Sequence, residues 1–379
     1  MKVLIIGGGM AGLTYAIMSA RQGNKVCVVD GNARVGRKIA MSGNGKCNIG
    51  NKNITADCYN DSVVAKHVIG KVSVDRYLDF LQSVGIQTYV DEIGRMYPVT
   101  DSASSVVDCL RFEAERLDVE TIVACKASCI TKTADGYVVT TDNEKLSAEK
   151  VVVACGSKSQ ADETNIEKLV GICLTRRVPS LVPIRVSDMD GVLNGVRNRA
   201  EVTLYRDGKK VRSESGEVQF KDYGLSGVCV FNLSATIARD MVKEEKHSYK
   251  FTIDLLPEIE ENRLEQLIQT NVDLGRDPLV GLVKNRVADF VKKRIKTTKN
   301  DFALQAARLI KNLPFTFEKL LDYSMSQVTA GGVEEKFVSL PSLELANGVV
   351  VLGEALNVDG ICGGYNLFFA ASSALSLFV

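Results

Sequence analysis

The chain has 379 residues, 45% of them hydrophobic, with 47 basic residues against 46 acidic ones. It is therefore long enough for two or three domains and carries no global field for nucleic acid or an anionic membrane. Two histidines exclude a histidine-rich metal site and disfavour Ser-His-Asp catalysis, while ten scattered cysteines without a C-x-x-C pair predict reduced thiols and a cytoplasmic protein rather than a disulfide framework.

The first predicted element is a short apolar strand, Met1 to Ile6, running into Gly7-Gly8-Gly9-Met10-Ala11-Gly12 and a helical stretch from Leu13 to Arg21. Gly-x-Gly-x-x-Gly between strand and helix is the dinucleotide fingerprint. Gly7 permits the tight turn, Gly9 lets a pyrophosphate approach, Gly12 brings helix close to strand, and Met10 and Ala11 open the helix whose N–H groups face the phosphates. A second strand, Lys25 to Asp30, ends in the acid expected to bind ribose hydroxyls. The apolar run Val3 to Ala20 has the length of a signal peptide or a membrane span, but its four glycines favour a buried element, as do Gly363, Gly364, Asn366 and the serines of the uncharged stretch Gly360 to Val379.

Next comes a glycine-, amide- and base-rich loop from Gly36 through Arg37, Lys38, Ser42, Gly43 and Asn48 to Asn51. It is suited to wrapping a polar ligand, with Arg37 or Lys38 offsetting phosphate charge. Cys47 lies in this loop, but the position where a dithiol partner would fall is Lys52, so a packed or cofactor-adjacent thiol is expected. Helices are predicted at Ser62 to Ile69, Val74 to Val84 and Ser102 to Leu117. From Val119 the period changes to short strands with turns at Asp135-Gly136 and Asp142-Asn143, returning to the parallel sheet through Val151 to Gly156. Ala127, between Cys125 and Cys129 on one of these strands, and Ala154 and Gly156 at the end of the last are candidate cofactor contacts.

Pro179 and Pro183 mark a boundary. The alternation of Val202 to Tyr205 and Lys250 to Asp254, with turns at Asp207-Gly208 and Ser215-Gly216, predicts an antiparallel β module. Helices follow at Glu258 to Thr270 and from Asp277-Pro278 onward, the latter with Leu279, Val283, Val287, Phe290 and Ile295 at helical spacing. Lys284 to Lys311 holds nine basic and two acidic residues. With few aromatics and an interleaved core stripe, this reads as a solvated helix face rather than an RNA surface. At the far end, Val349 to Leu352 is a buried strand, followed by Gly353-Glu354, a polar glycine loop through Asp359, and a helix start at Gly364-Tyr365-Asn366. A helix N-terminus carries about half a positive charge, which against an isoalloxazine ring would favour its anionic form, and Glu354 can hydrogen-bond sugar or ribityl hydroxyls.

Gly36-Arg-Lys with Ser42-Gly-Asn-Gly-Lys-Cys-Asn48, Gly224-Leu-Ser-Gly227, Thr329-Ala-Gly-Gly-Val333 and Gly353-Glu through Gly363-Gly-Tyr-Asn366 resemble, in order and over nearly the whole chain, a bacterial family of FAD-dependent oxidoreductases. That family is called HI0933-like, BaiN-like or aminoacetone oxidase-like. Departures are Cys155 where relatives often have Thr, Asp30 where Glu is common, and a short last helix ending at Val379. The resemblance implies an α/β fold: a Rossmann-like FAD-binding domain, a parallel sheet with a small β-meander, interrupted by a β-barrel-like insert with a helical subdomain. The corresponding segments are 1–184 and 331–379 for the FAD domain, 185–256 and 313–330 for the substrate-covering barrel, and 257–312 for the helices. It implies noncovalent FAD and a small organic substrate. No second fingerprint follows a strand, so NADH or NADPH would visit only transiently.

The expected function is NAD(P)H-driven reduction of an activated C=C bond in a steroid- or bile-acid-like enone. The alternatives are an FAD oxidase of a small amine such as aminoacetone and, behind it, a flavin-containing RNA-modifying or RNA-binding protein. Neither a membrane nor a nucleic-acid partner is expected, and oligomeric state is left open. Tyr365, Tyr223 and Tyr97 are the candidate proton donors.

Overall fold

In the computed structural model, which describes residues 1–60, 62–156, 166–295 and 301–379, the chain forms two compact units. One combines Met1–Val178 with Gln327–Val379, and the other is Pro179–Ser326. The first is organised by β1 (Lys2–Ile6) and β2 (Lys25–Val29). Each has one exposed residue followed by four buried ones, the pattern of strands covered on both faces of a parallel sheet. The sheet order is Val350–Val351, Lys150–Val153, β1, β2, Glu120–Ile122, every pairing parallel. Strands from both ends of the chain thus share one sheet.

Helix α1 (Met10–Arg21) follows β1, and its buried residues include Leu13, Tyr15, Ala16 and Ile17. The apolar run from Val3 to Ala20 is therefore a strand and helix folded into the core, and no helix among the described residues is long and apolar enough to cross a membrane. The β-meander is present as Ala127–Thr133, Gly136–Thr141 and Lys145–Ala148, paired antiparallel. Helices Val63–Lys71 and Val74–Ser83 begin at serine caps, the Ser62 and Ser73 hydroxyls accepting from the N–H of Ala65 and Arg76, which satisfies donors a helix start leaves open. A third small sheet joins Gly50–Asn51, Arg95–Pro98 and Thr88–Val90.

The second unit holds a closed six-stranded barrel, ordered Ile184–Val186, Gly224–Ser226, Lys209–Lys221, Arg197–Arg206, Tyr249–Asp254, Leu313–Leu320. Alternate residues Val202, Leu204, Phe220, Phe251, Ile253 and Phe315 are buried, as period-2 patterning requires. Three readings of this region need correction. Ser215-Gly216 is no turn but lies within Lys209–Lys221, paired with Glu201 and Ala200. A Cβ on Gly216 would lie 3.4 Å from the Cys229 Cβ, so this glycine marks a close approach to a helix. That helix, Val228–Val242, interrupts the β module, and the burial of Val230, Leu233, Ser234 and Ile237 is the helical spacing that could have revealed it. Asp277-Pro278 does not open a helix either: Asp277 accepts from the Leu279 N–H at 3.0 Å in a local turn, and the helix starts at Asn285.

The basic run divides between Asn285–Arg294 and Phe302–Lys311, with Lys296 and Lys299 outside the described residues. Several of its cations are engaged within the unit. Lys284 donates to the Arg197 carbonyl, Arg286 to Asn194 O and Arg294 to Asp188 O, while Lys292 and Lys293 pair with Asp277 and Asp190.

The two histidines are placed to titrate apart. His247 Nδ1 lies 2.6 Å from Asp207 Oδ2 and Nε2 3.3 Å from Glu245 Oε2, and these carboxylates raise its pKa above the ordinary 6.5. Burial and the nearby Lys71 lower that of His67. The His247 pairs therefore stabilise the protein below the ordinary imidazole value, and that contribution is lost as pH rises through the higher folded value. Two NMR titration curves, one on each side of 6.5, are expected; coincident midpoints would refute the assignment.

Candidate cofactor site

The three fingerprint glycines do three different things. Gly7 has φ +106°, and a Cβ there would lie 2.5 Å from the Cys155 Cα and 2.6 Å from the Ala154 carbonyl. At Gly12 a Cβ would sit 1.9 Å from the Gly7 carbonyl oxygen. Gly9 alone looks onto open space, with nothing within 4 Å of its Cβ direction. It is also the N-cap of α1, which has no side-chain cap and no acid in its first turn. The first bond of the helix runs from Leu13 N–H to Gly9 O, leaving Met10, Ala11 and Gly12 to present their N–H groups ahead of it. An uncapped helix start beside empty space is a ready anion cradle.

Asp30 is buried. Its Oδ2 accepts from Gly8 N–H at 2.8 Å, and its Oδ1 accepts from the Asn32 backbone and side-chain N–H groups at 2.8 and 2.9 Å. The acid therefore fixes the glycine loop as well as ending β2. The Asp30 carbonyl also accepts from Cys125 N–H at 3.0 Å, which anchors the segment leading to buried Ala127.

The loop after β2 forms α2 (Arg37–Met41), entered through Gly36 at φ +76°. Lys38 pairs with Glu354 Oε2, whose other oxygen accepts from Thr329 N–H at 2.7 Å. Gly156 stands beside this pair, its Cβ direction 3.3 Å from Glu354 Oε2 and 3.6 Å from Lys38 Nζ. Arg37 points elsewhere, donating to Asn32 Oδ1 at 3.0 Å. Gly353 lies close to α1, a Cβ there falling 3.0 Å from that of Ala11. The fold thus brings Ala11, Lys38, Gly156, Gly353 and Glu354 together from four separate segments.

Beyond α2 the chain passes through Ser42, which donates to Ile39 O at 2.7 Å, and Gly43, where a Cβ would crowd Asn48 N at 2.8 Å. The Asn48 amide, oriented to suit its neighbours, donates to Gly50 O at 2.9 Å and Met96 O at 3.2 Å and accepts from Gly364 N–H at 3.1 Å. Gly364 has φ +93°, and a Cβ would lie 2.1 Å from Gly50 O. It is the N-cap of the C-terminal helix Tyr365–Leu375, again without a side-chain cap or an acid in the first turn. Asn366 closes the glycine loop, accepting from Gly360 N–H at 2.8 Å and donating to Gly360 O at 3.1 Å. Asp359 is buried and its backbone is held on both sides by Asn60. Sequence reasoning missed Tyr59, whose hydroxyl donates to Tyr365 O at 2.9 Å, and Asn60, which also donates to Asn357 O at 2.9 Å. Nothing local distinguishes them, because their partners lie roughly 300 residues away in sequence, beyond any pattern of period 2 or 3.6.

The three tyrosines suggested as acids lie on different elements. Tyr365 lies in the glycine loop, its hydroxyl pushed up to about 12 by burial and then by Cys58. Tyr97 stacks on Tyr89 at 5.8 Å and is also raised by burial. Tyr223 follows a barrel strand in the other unit. Cys47 is fully buried, and burial raises its thiol to about 11 despite a hydrogen bond with Ser42. A thiol held protonated in this way is a poor nucleophile. Cys47→Ser is accordingly expected to keep flavin reduction within about tenfold, some 1.4 kcal/mol of barrier; a thousandfold loss with FAD still bound would show the thiol taking part.

A family model described as HI0933-like protein Rossmann domain matches residues 1–377. A 3-dehydro-bile acid delta(4,6)-reductase of Clostridium scindens is 30% identical over 97% of this chain and 96% of its own length. A ribosomal RNA dihydrouridine synthase of Haemophilus influenzae is 26% identical over 98% and 96%. Among solved structures, a 3-ketosteroid-delta4-(5alpha)-dehydrogenase of Rhodococcus jostii RHA1 overlaps 99% of this chain and 95% of its own with a TM-score of 0.48 and 13% identity.

Proposed function

This chain belongs to the HI0933-like family, and from that premise we propose that it is an FAD-dependent, NAD(P)H-driven reductase of a C=C bond conjugated to a carbonyl. A steroid- or bile-acid-like enone is the substrate class. The observation that carries this reading is the presence in one unit of two uncapped helix N-termini, at Gly9 and Gly364, with open space in front of the first. The two enzyme relatives support it through their names, since making a dihydrouridine and reducing a delta(4,6) bile acid both saturate a C=C bond conjugated to a carbonyl.

FAD, when bound, supplies hydride exchange between a nicotinamide donor and the electron-poor double bond. The N-terminus of α1 would hold its diphosphate, and Asp30 and the segment before Ala127 would hold its adenosine. Lys38 and Glu354, locked together, fix the approach of the N-terminal and C-terminal loops. The N-terminus at Gly364 and Tyr365 favours negative charge in a ring lying against it. Tyr365, the first residue of that helix, is the tyrosine we assign to deliver a proton to substrate. Ten free cysteines accord with a reducing, cytoplasmic setting.

The test is anaerobic. NADPH or NADH should bleach the yellow protein, and a 3-oxo-4-ene steroid should restore the colour at least tenfold faster than air does. Bleaching by aminoacetone but not by nicotinamide would replace the reductase with an oxidase, and recolouring by uridine-containing RNA but not by the enone would move the substrate to nucleic acid.

A further inference from the structure

On the side of α2 away from Glu354 lies a second cleft, of about 1000 Å³. The helix divides its side chains between the two places: Lys38 pairs with Glu354, while Arg37, Ala40 and Met41 line the cleft, as residues at i, i+3 and i+4 share a face. None of Gly7, Gly9 and Asp30 lines it. Its volume lies at the top of the range for small-molecule sites.

Charge in the cleft is uneven. At the end formed by the helix Ala103–Arg116, Arg111 is neutralised by Glu115 at 2.9 Å and Asp108 at 3.5 Å. At the end just past β2, Arg34 is exposed with no ion-pair partner among the described residues. Among the described residues, Arg37 bonds only the neutral amide of Asn32. Two guanidiniums without a carboxylate partner among the described residues therefore stand next to an apolar wall of Val35, Val107, Val123 and Met41. The last two are left 38% and 58% exposed. Guanidinium forks recognise phosphate oxygens bidentately and stack on planar rings. An apolar wall beside two such forks suits a flat base carrying a phosphate.

We propose that this cleft docks the adenosine 2′-phosphate end of NADPH, so that the chain carries a donor site distinct from its FAD site and prefers NADPH to NADH. The proposal rests on the nicotinamide-linked reading above. Asn32 joins the two sites, its amide donating to Asp30 on one side and its oxygen accepting from Arg37 on the other. The two adenosines would lie back to back across it.

The experiment uses FAD-loaded protein and two probes, adenosine 2′,5′-bisphosphate and 5′-AMP, in equilibrium dialysis. The bisphosphate is expected to bind at least tenfold more tightly than 5′-AMP. Arg34→Gln should remove that difference and raise KM for NADPH about tenfold, with kcat at saturation and FAD content within twofold. Ala40→Glu, which places a like charge on the exposed side of the same wall, should weaken the bisphosphate without releasing FAD and serves if the arginine variant fails to fold. Equal binding of the two probes, an unaffected Arg34→Gln protein, or bisphosphate binding that vanishes when FAD is loaded would each overturn the proposal. Failure of the reductase reading shows separately: dithionite-bleached protein would then not be recoloured by the enone, whatever the dialysis result.

Discussion

Gly9→Asp is expected to cost at least a hundredfold in FAD affinity, about 2.7 kcal/mol, while leaving the apoprotein as stable as before or slightly more so. The two effects part because of where Gly9 stands. Its backbone, φ −84° and ψ −169°, is extended and open to any residue, and nothing lies within 4 Å of the new Cβ. Aspartate is a better N-cap than glycine by a few tenths of a kcal/mol and complements the helix dipole. The same carboxylate would occupy the cradle assigned to the diphosphate, where two unit charges 4 Å apart repel by about 4 kcal/mol at an effective dielectric constant of 20. Thermal melting of the apoprotein and an FAD titration read the two quantities independently. A yellow Gly9→Asp protein with unchanged affinity would remove the diphosphate from this helix.

Gly12→Ala, three positions along, is expected to do the opposite and damage the fold first. Its Cβ would lie 1.9 Å from the Gly7 carbonyl oxygen, and α1 cannot retreat because Leu13, Ala16 and Ile17 are fully packed. Overpacking typically costs 1–3 kcal/mol, and a clash with backbone belongs at or above the upper end, about 3 kcal/mol. For a unit of this size that is a loss of about 6 to 12 °C in Tm. A Gly12→Ala protein that melts within 2 °C of the parent would show that strand and helix have slack the structure does not contain.

How much of this was legible depends on the range of the interactions. β1 and β2 announce themselves because a strand buried on both faces must be apolar at every position, and the fingerprint adds strand, turn and helix within a dozen residues. The barrel was legible from Val202 to Tyr205 and Lys250 to Asp254, where alternation is clean. It failed at Ser215-Gly216, because a glycine making room for a helix looks the same in sequence as one making a turn. The helix Val228–Val242 hid behind its β-branched start. In the site, the composition of the loop brought Lys38 and Arg37 forward together, but which of them turns toward Glu354 depends on how Ile39, 1% exposed, seats α2 against the core. No local pattern encodes that rotation, nor the pairing of Asn60 with Asp359.

The split of the first unit between Met1–Val178 and Gln327–Val379 has a bearing on how the protein is made. Gly12 leaves the ribosome roughly 340 residues before Gly353, which at about 5–20 residues per second is a wait of roughly 20 to 70 s. During that interval the barrel can close on itself, whereas the sheet lacks its Val350–Val351 strand and the helix cradle lacks its opposite wall. Cofactor capture is thereby deferred until Val350–Val351 and Gly353 have been made, and flavin supply in the cell would govern that later stage of maturation rather than the early folding of the nascent chain.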